Sequence, residues 1–132
     1  PLLDRIDLHV EVTPVSFNEL SAISVGESSN EIRERVIAAR KIQEERFEKN
    51  NGVHANAQIS SKILKEICEI SQDGKDLLKK AMDKLGLSAR AYDRILKVAR
   101  TIADLEKSEN IQTSHLAEAI QYRSLDREGW AG

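Results

Sequence analysis

The sequence predicts an all-α fold, a small bundle of about five helices with one short strand-like segment ahead of it. Aromatic residues make up only 4% of the 132 residues, while 32% are Asp, Glu, Lys or Arg. With much Ala, Leu, Ile, Glu and Lys besides, this is a helix-forming composition. Six glycines and two prolines leave room for long helices joined by short turns. Beyond the first few residues, apolar side chains recur at three- and four-residue spacing, and the length suffices for one domain with a modest core.

At the start, Ile6-Asp7-Leu8-His9-Val10-Glu11-Val12 alternates apolar and polar side chains, the period of a strand with one buried face. Pro14 stops it. No later segment shares that period, so a pairing strand is expected upstream, and the run itself is expected to be poorly ordered or to lie against the helices or another chain. The opening Pro1-Leu2-Leu3 has no methionine, which leads us to expect a piece of a longer protein. Residues 16 to 30 read as a short turn and a linker.

Ser28 and Glu31 have capping-box spacing and open a helix from about Glu31 to Asn50, with Ile32, Val36, Ala39 and Phe47 near one face. Glu31 with Arg35, and Lys41 with Glu45, are spaced as i,i+4 pairs on its exposed sides. Asn50-Asn51-Gly52 ends it, and residues 53 to 58 form a loop that carries His54. Ser60 caps a shorter helix with Ile63, Leu64, Ile67, Cys68 and Ile70 inward. After Ser71-Gln72-Asp73-Gly74 comes a helix with Leu77, Leu78, Ala81, Met82 and Leu85 apolar, which Gly86 stops. Thr113 or Ser114 is expected to cap a last helix with Leu116, Ala117 and Ile120 inward. From Tyr122 onward the tail is polar apart from Leu125 and Trp130, and a frayed end is expected.

Between these lies the most informative stretch, Leu87 to Leu105. At 100° per residue, Ala91, Ile95, Val98, Ala99, Ile102 and Leu105 fall on one side, and Arg90, Arg94, Lys97 and Thr101 on the other. Ser88 is a good N-cap and puts Arg90 in the first turn, where open N–H groups and the helix dipole favour an anion rather than a cation. An arginine there points to a phosphate-like partner. A solvated face with arginines chosen for helix propensity gives the same pattern.

Several classes are excluded or disfavoured. The formal net charge of −2 exerts no global pull on nucleic acid or anionic membranes. Cys68 is the single cysteine, so no internal disulfide can form and a core role in a reduced compartment is expected. His9, His54 and His115 lack ligand-like spacing to one another or to Cys68, and no metal site is expected. No apolar run reaches membrane-spanning length and no signal-peptide pattern appears, so a soluble cytoplasmic protein is expected. Paired catalytic carboxylates, a nucleophile with its base and a glycine-rich phosphate loop are all missing from the sequence, so this chain alone is not expected to be catalytic.

Two motifs resemble a known family. Ser88-Ala89-Arg90, followed by Ile95-Leu96-Lys97-Val98-Ala99-Arg100-Thr101-Ile102-Ala103-Asp104-Leu105, resembles the sensor 2 helix of the magnesium-chelatase-like AAA+ ATPases, and of their competence-protein branch most closely. Leu2-Leu3-Asp4-Arg5-Ile6-Asp7 resembles the Leu-Leu-Asp-Arg-Phe segment of the same family and the Ser-Arg-Phe-Asp segment of replicative helicases, in which the arginine is a finger that crosses the subunit interface. The resemblance spans residues 1 to 12 and about 29 to 124. It implies three parts: residues 1–27 as the end of the ATPase core and a linker, 28–124 as a helical lid with the sensor 2 helix, and 125–132 as a tail.

By that resemblance, Arg90 contacts bound nucleotide and Arg5 reaches the γ-phosphate in a neighbouring subunit, with ATP and Mg2+ held mainly by a core outside this chain. A fixed guanidinium stabilises charge on the transferring phosphoryl oxygens, and supplying it in trans couples hydrolysis to assembly. Partners implied are the protein's own core, neighbouring subunits of a homo-oligomeric ring, taken as a hexamer, and DNA undergoing branch migration in natural transformation or recombination. Read from the hexapeptide alone, a local ion pair of Arg5 with Asp4 or Asp7 is the stronger reading, and the downstream sensor 2 match turns it toward the finger. Two other classes stay open: a stand-alone nucleic-acid module using Arg90, Arg94, Lys97 and Arg100, and a helical protein-interaction domain.

Overall fold

Serine hydroxyls start helices at Ser28, Ser60 and Ser88, where the spacing predicts, and at Ser71, which starts its helix at Gln72 rather than after Gly74. Ser28, Ser60, Ser71 and Ser88 accept the backbone N–H of Glu31, Ile63, Gly74 and Ala91 respectively, each cap stabilising its helix by about 1 kcal/mol. The computed structural model describes residues 2–22 and 26–123. Its helices are α1 (Phe17–Ser21), α2 (Ser29–Arg46), α3 (Ser61–Ile67), α4 (Gln72–Leu85), α5 (Ala89–Leu105) and α6 (Thr113–Gln121), with 3₁₀ turns at Leu3–Arg5 and Asn56–Gln58. The expectations for Leu125, Trp130 and the tail lie outside the described residues.

Helix α5 is the axis of the bundle. It packs against α2, α3, α6 and both 3₁₀ turns. Ala91, Ile95, Ala99 and Ala103 are fully buried along one row, and the three alanines let neighbouring backbones approach closely. Around that row Phe47, Ile59, Leu64, Leu78, Leu96, Ile111 and Leu116 form one apolar cluster. Helices α4 and α6 pack together at Gly74, where an added Cβ would lie 2.9 Å from Leu116 Cδ1. A parallel bridge between Ile70 and Ile111 ties the α3–α4 junction to the loop before α6.

Cys68 is buried in this cluster, its Sγ 3.8 Å from the Leu96 carbonyl, and burial pushes the thiol up to about 11. Its thiolate fraction at pH 8 is therefore tiny. Native protein is expected to react with iodoacetamide about a hundredfold more slowly than the urea-unfolded chain. Mass-spectrometric labelling rates measure this, and equal rates would mean that the helix pair opens freely.

Four expectations need correction. No strand forms at Ile6–Val12. With no neighbouring strand among the described residues, the extended backbone finds helix partners instead, the His9 N–H donating to the Tyr122 carbonyl at 2.8 Å. The faces are also the reverse of a core strand: His9 is buried and Asp7 half-buried, while Ile6, Leu8, Val10 and Val12 are exposed. Second, the segment read as a turn contains α1, opened by a Ser16–Glu19 capping box. Third, the apolar face of α2 is only half used. Ala39 and Phe47 are buried, but Ile32 and Val36 are exposed because nothing described here covers the N-terminal half. Glu31 is spent on its cap, and Arg35 pairs with Glu27 rather than with Glu31. Fourth, α6 is capped by Gln112, whose N–H donates to His115 Nδ1 at 2.9 Å. That bond puts the proton of buried His115 on Nε2, which donates to Glu106 at 2.5 Å.

No helix among the described residues is long and apolar enough to cross a membrane. No three of their His, Cys, Asp and Glu side chains group as metal ligands.

Candidate functional site

The tight α4–α5 junction sets the direction of α5. Gly86 takes the left-handed conformation at φ +62°, and the Leu87 N–H bonds back to the Met82 carbonyl at 3.1 Å. Two residues later the Ser88 hydroxyl satisfies the Ala91 N–H, which leaves the Ala89 and Arg90 amides without intrahelical acceptors. The Arg90 side chain is exposed and makes no hydrogen bond or ion pair with the described residues. A guanidinium, two open N–H groups and the positive end of a seventeen-residue helix therefore share one surface. An oxyanion is the ligand such a surface can hold.

The rest of the basic stripe is put to other uses. Arg94, one turn after Arg90, is ion-paired with Asp7 of the N-terminal segment. Lys97 is half-buried beside a cleft of about 640 Å³ that Leu8, Val98, Ile102, Leu105 and Tyr122 also line. Ile102 lies about 18 Å along the axis from Arg90 at 1.5 Å per residue, so the apolar cleft and the Arg90 surface are separate. Arg100 is buried. Its Nη1 and Nη2 donate to the carbonyls of Glu109 at 3.0 Å and Ser108 at 2.7 Å, and its Nε donates to Asp104. With Arg94 and Arg100 engaged, α5 presents no continuous cationic face for a nucleic-acid backbone.

Asp104 centres a buried polar network that sequence reading missed. It is 1% exposed. Arg46 of α2 grips it with both terminal nitrogens, at 2.9 and 2.6 Å, and Asn56 Nδ2 donates at 2.9 Å. Asn56 in turn donates its backbone N–H to buried Gln43 at 2.9 Å and its side-chain amide to Thr101 at 3.0 Å. Burial alone would raise the carboxyl's pKa, but the hydrogen bonds from Arg46 and Asn56 and the charges of Arg46 and Arg100 outweigh it and hold the group below the usual aspartate range. The signal available in the sequence was an aspartate inside the apolar run Ile102-Ala103-Asp104-Leu105, with Arg100 one turn before it.

Arg5 ends the Leu3–Arg5 turn and is exposed. Of its two local partners, Asp7 pairs with Arg94 instead, and the side chain of Asp4 lies outside what the structure describes. The turn packs against α5, although no hydrogen bond or ion pair among the described residues joins Arg5 to Arg90.

Compared with known proteins, residues 26–123 match the family model described as magnesium chelatase, subunit ChlI C-terminal. The chain belongs to the magnesium-chelatase-like AAA+ ATPases. Among relatives of this family, it is 44% identical over 128 residues to the competence protein ComM of Haemophilus influenzae, which covers 96% of this chain and 24% of that protein. An uncharacterised Escherichia coli protein, YifB, is 41% identical over the same length, with the same shares of the two chains covered. An uncharacterised Mycobacterium tuberculosis protein is 34% identical over 123 residues, covering 93% and 24%. The chain thus spans about a quarter of the length of these curated relatives. Residues 26–123 thus correspond to the C-terminal region of that family, and the described residues fold as a helical domain.

Proposed function

We propose that this lid closes over ATP in a ring of identical subunits, six by analogy with ring-forming AAA+ motors, with Arg90 contacting the nucleotide phosphates and Arg5 completing the site of a neighbouring subunit. Residues 1–27 then end the ATPase core and lead into the lid at 28–124, with 125–132 as a tail. One observation carries the reading: Arg90 is an exposed cation at a helix start, where its charge is locally unfavourable by about 0.3–1 kcal/mol unless an anion joins it. A phosphate oxygen removes that penalty and satisfies the open amides at the same time.

ATP supplies the phosphoryl group, and its Mg2+ is held by core residues outside this chain. What Arg90 contributes is orientation and charge at the closing surface. Movement of the lid against the core then drives the ring along its track. Similarity to a competence protein supports DNA as that track, with branch migration during transformation or recombination in the cytoplasm as the work done.

The test is ATP hydrolysis by the full-length protein, with and without branched DNA, for wild type and Arg90→Ala. One charge-assisted hydrogen bond is worth about 1.5–3 kcal/mol, so kcat/KM for ATP is expected to fall about tenfold to a hundredfold while ring assembly persists. Unchanged hydrolysis would make Arg90 a surface residue and shift the case to an interaction domain.

A further inference from the structure

The turn that carries Arg5 is too short to hold itself. Its local support is the Arg5 N–H on the Leu2 carbonyl at 3.1 Å and the Ile6 N–H on the Leu3 carbonyl at 3.2 Å, and single 3₁₀ turns are marginal in water. The rest of its support comes from the helical domain. Arg123, just after α6, is fully buried. Its Nη2 donates to the Leu3 carbonyl at 3.1 Å and its Nη1 to the Ile6 carbonyl, across 120 and 117 residues of sequence. One guanidinium thus bridges the first residue of the turn and the residue that follows it. His9 Nε2 lies 3.2 Å from the same Leu3 carbonyl, and the His9 backbone is bonded to Tyr122. On the other side, Asp7 pairs with Arg94, one helical turn from Arg90.

A buried guanidinium is costly unless its donors are matched, and two of these donors are matched by backbone carbonyls flanking Arg5. Had Arg123 merely capped α6, its donors would be expected on the last carbonyls of that helix. We propose that Arg123, with Arg94 as a second point of attachment, is a positioning residue that fastens the Arg5 turn, the end of the core in sequence, onto the lid, so that the finger moves with the helix that bears Arg90 while the rest of the core moves against it. This rests on the reading of Arg5 and Arg90 given above. Closure of the lid in one subunit then resets the finger offered to the next, with no separate signal through the core.

The test is a double-mutant cycle on ATP hydrolysis by the full-length protein. Arg123→Lys keeps the charge but loses the fork that spans two carbonyls. It is expected to lower kcat about tenfold or more while the KM for ATP stays within about twofold, since small misplacements of a reacting group cost up to about a hundredfold. In an Arg5→Lys background, which keeps a weak cation and a residual rate, the same change is expected to cost less than about twofold more. Amide exchange at residues 3 to 9 reports whether the turn has been released. Should Arg123→Lys not fold, Arg94→Gln and Asp7→Asn, at a partly exposed pair, release the second attachment and are expected to lower kcat in the same non-additive way.

Several outcomes overturn the proposal. In one, Arg5→Ala lowers hydrolysis but Arg123→Lys, or its fallback pair, leaves kcat unchanged while exchange quickens. In another, the loss is as large in the Arg5→Lys background as in wild type, which makes Arg123 a structural residue only. If Arg5→Ala itself has no effect, it is the finger reading that fails.

Discussion

Asp104→Ala is expected to destabilise this chain by about 3–5 kcal/mol, enough to unfold much of it at 37 °C. The reason is what the substitution leaves behind. Arg46 and Arg100 both lose their carboxylate, and Arg100, at 4% exposure, has no route to water. Asn56 loses an acceptor as well. Asp104→Asn keeps the shape and part of the hydrogen bonding, so it is expected to cost less. Urea denaturation of the two variants measures the difference, and a loss under about 1 kcal/mol for Asp104→Ala would mean that water takes the place of the carboxylate.

The same carboxyl sets an acid limit. Its pKa is lowered on folding, so its contribution is fully present above the ordinary aspartate value of about 4 and is lost as the pH falls below that. Wild-type stability is therefore expected to drop, as the pH falls below about 4, more steeply than that of Asp104→Asn, which has no such proton to take up.

Arg5→Ala is expected to lower kcat of the full-length ATPase by about a thousandfold or more with the KM for ATP little changed, the usual worth of an arginine finger. Fold and assembly are expected to survive, because the Arg5 side chain is exposed and makes no hydrogen bond or ion pair with the described residues. Rings that mix Arg5→Ala subunits with Arg90→Ala subunits separate the trans role from a cis one. A finger acting in trans restores activity where an Arg5→Ala subunit, which keeps Arg90, holds ATP beside an Arg90→Ala subunit, which keeps Arg5. No recovery on mixing would place the role in cis, and an unchanged rate for Arg5→Ala alone would remove it.

Helix starts and stops were legible because their chemistry spans only a few residues. The Ser28–Glu31 box, the Ser60 and Ser88 caps and Gly86 at positive φ all stand where spacing puts them. The apolar row of α5 was legible in part for the same reason: Ala91, Ile95 and Ala99 are buried where the 100° step puts them, but Leu96 and Ala103 are buried as well and Leu105 is exposed. What local spacing cannot convey is which face a neighbour covers. Alternation in residues 6 to 12 marked two different faces, yet Asp7 and His9 turned inward, because Arg94 and the Leu3 carbonyl offered their side chains partners and no strand among the described residues offered the other face a sheet.

Nor could spacing say which arginines would be spent. Arg90, Arg94 and Arg100 have the same chemistry and share one helix. Contacts with residues 58, 87 and 117 positions apart fasten Arg46 to Asp104, Arg94 to Asp7 and Arg123 to Ile6, and Arg100 is drawn into the first of these networks through Asp104. Charge pairs form wherever folding brings groups within about 3 Å in a low dielectric, and that proximity is a property of the packed helices.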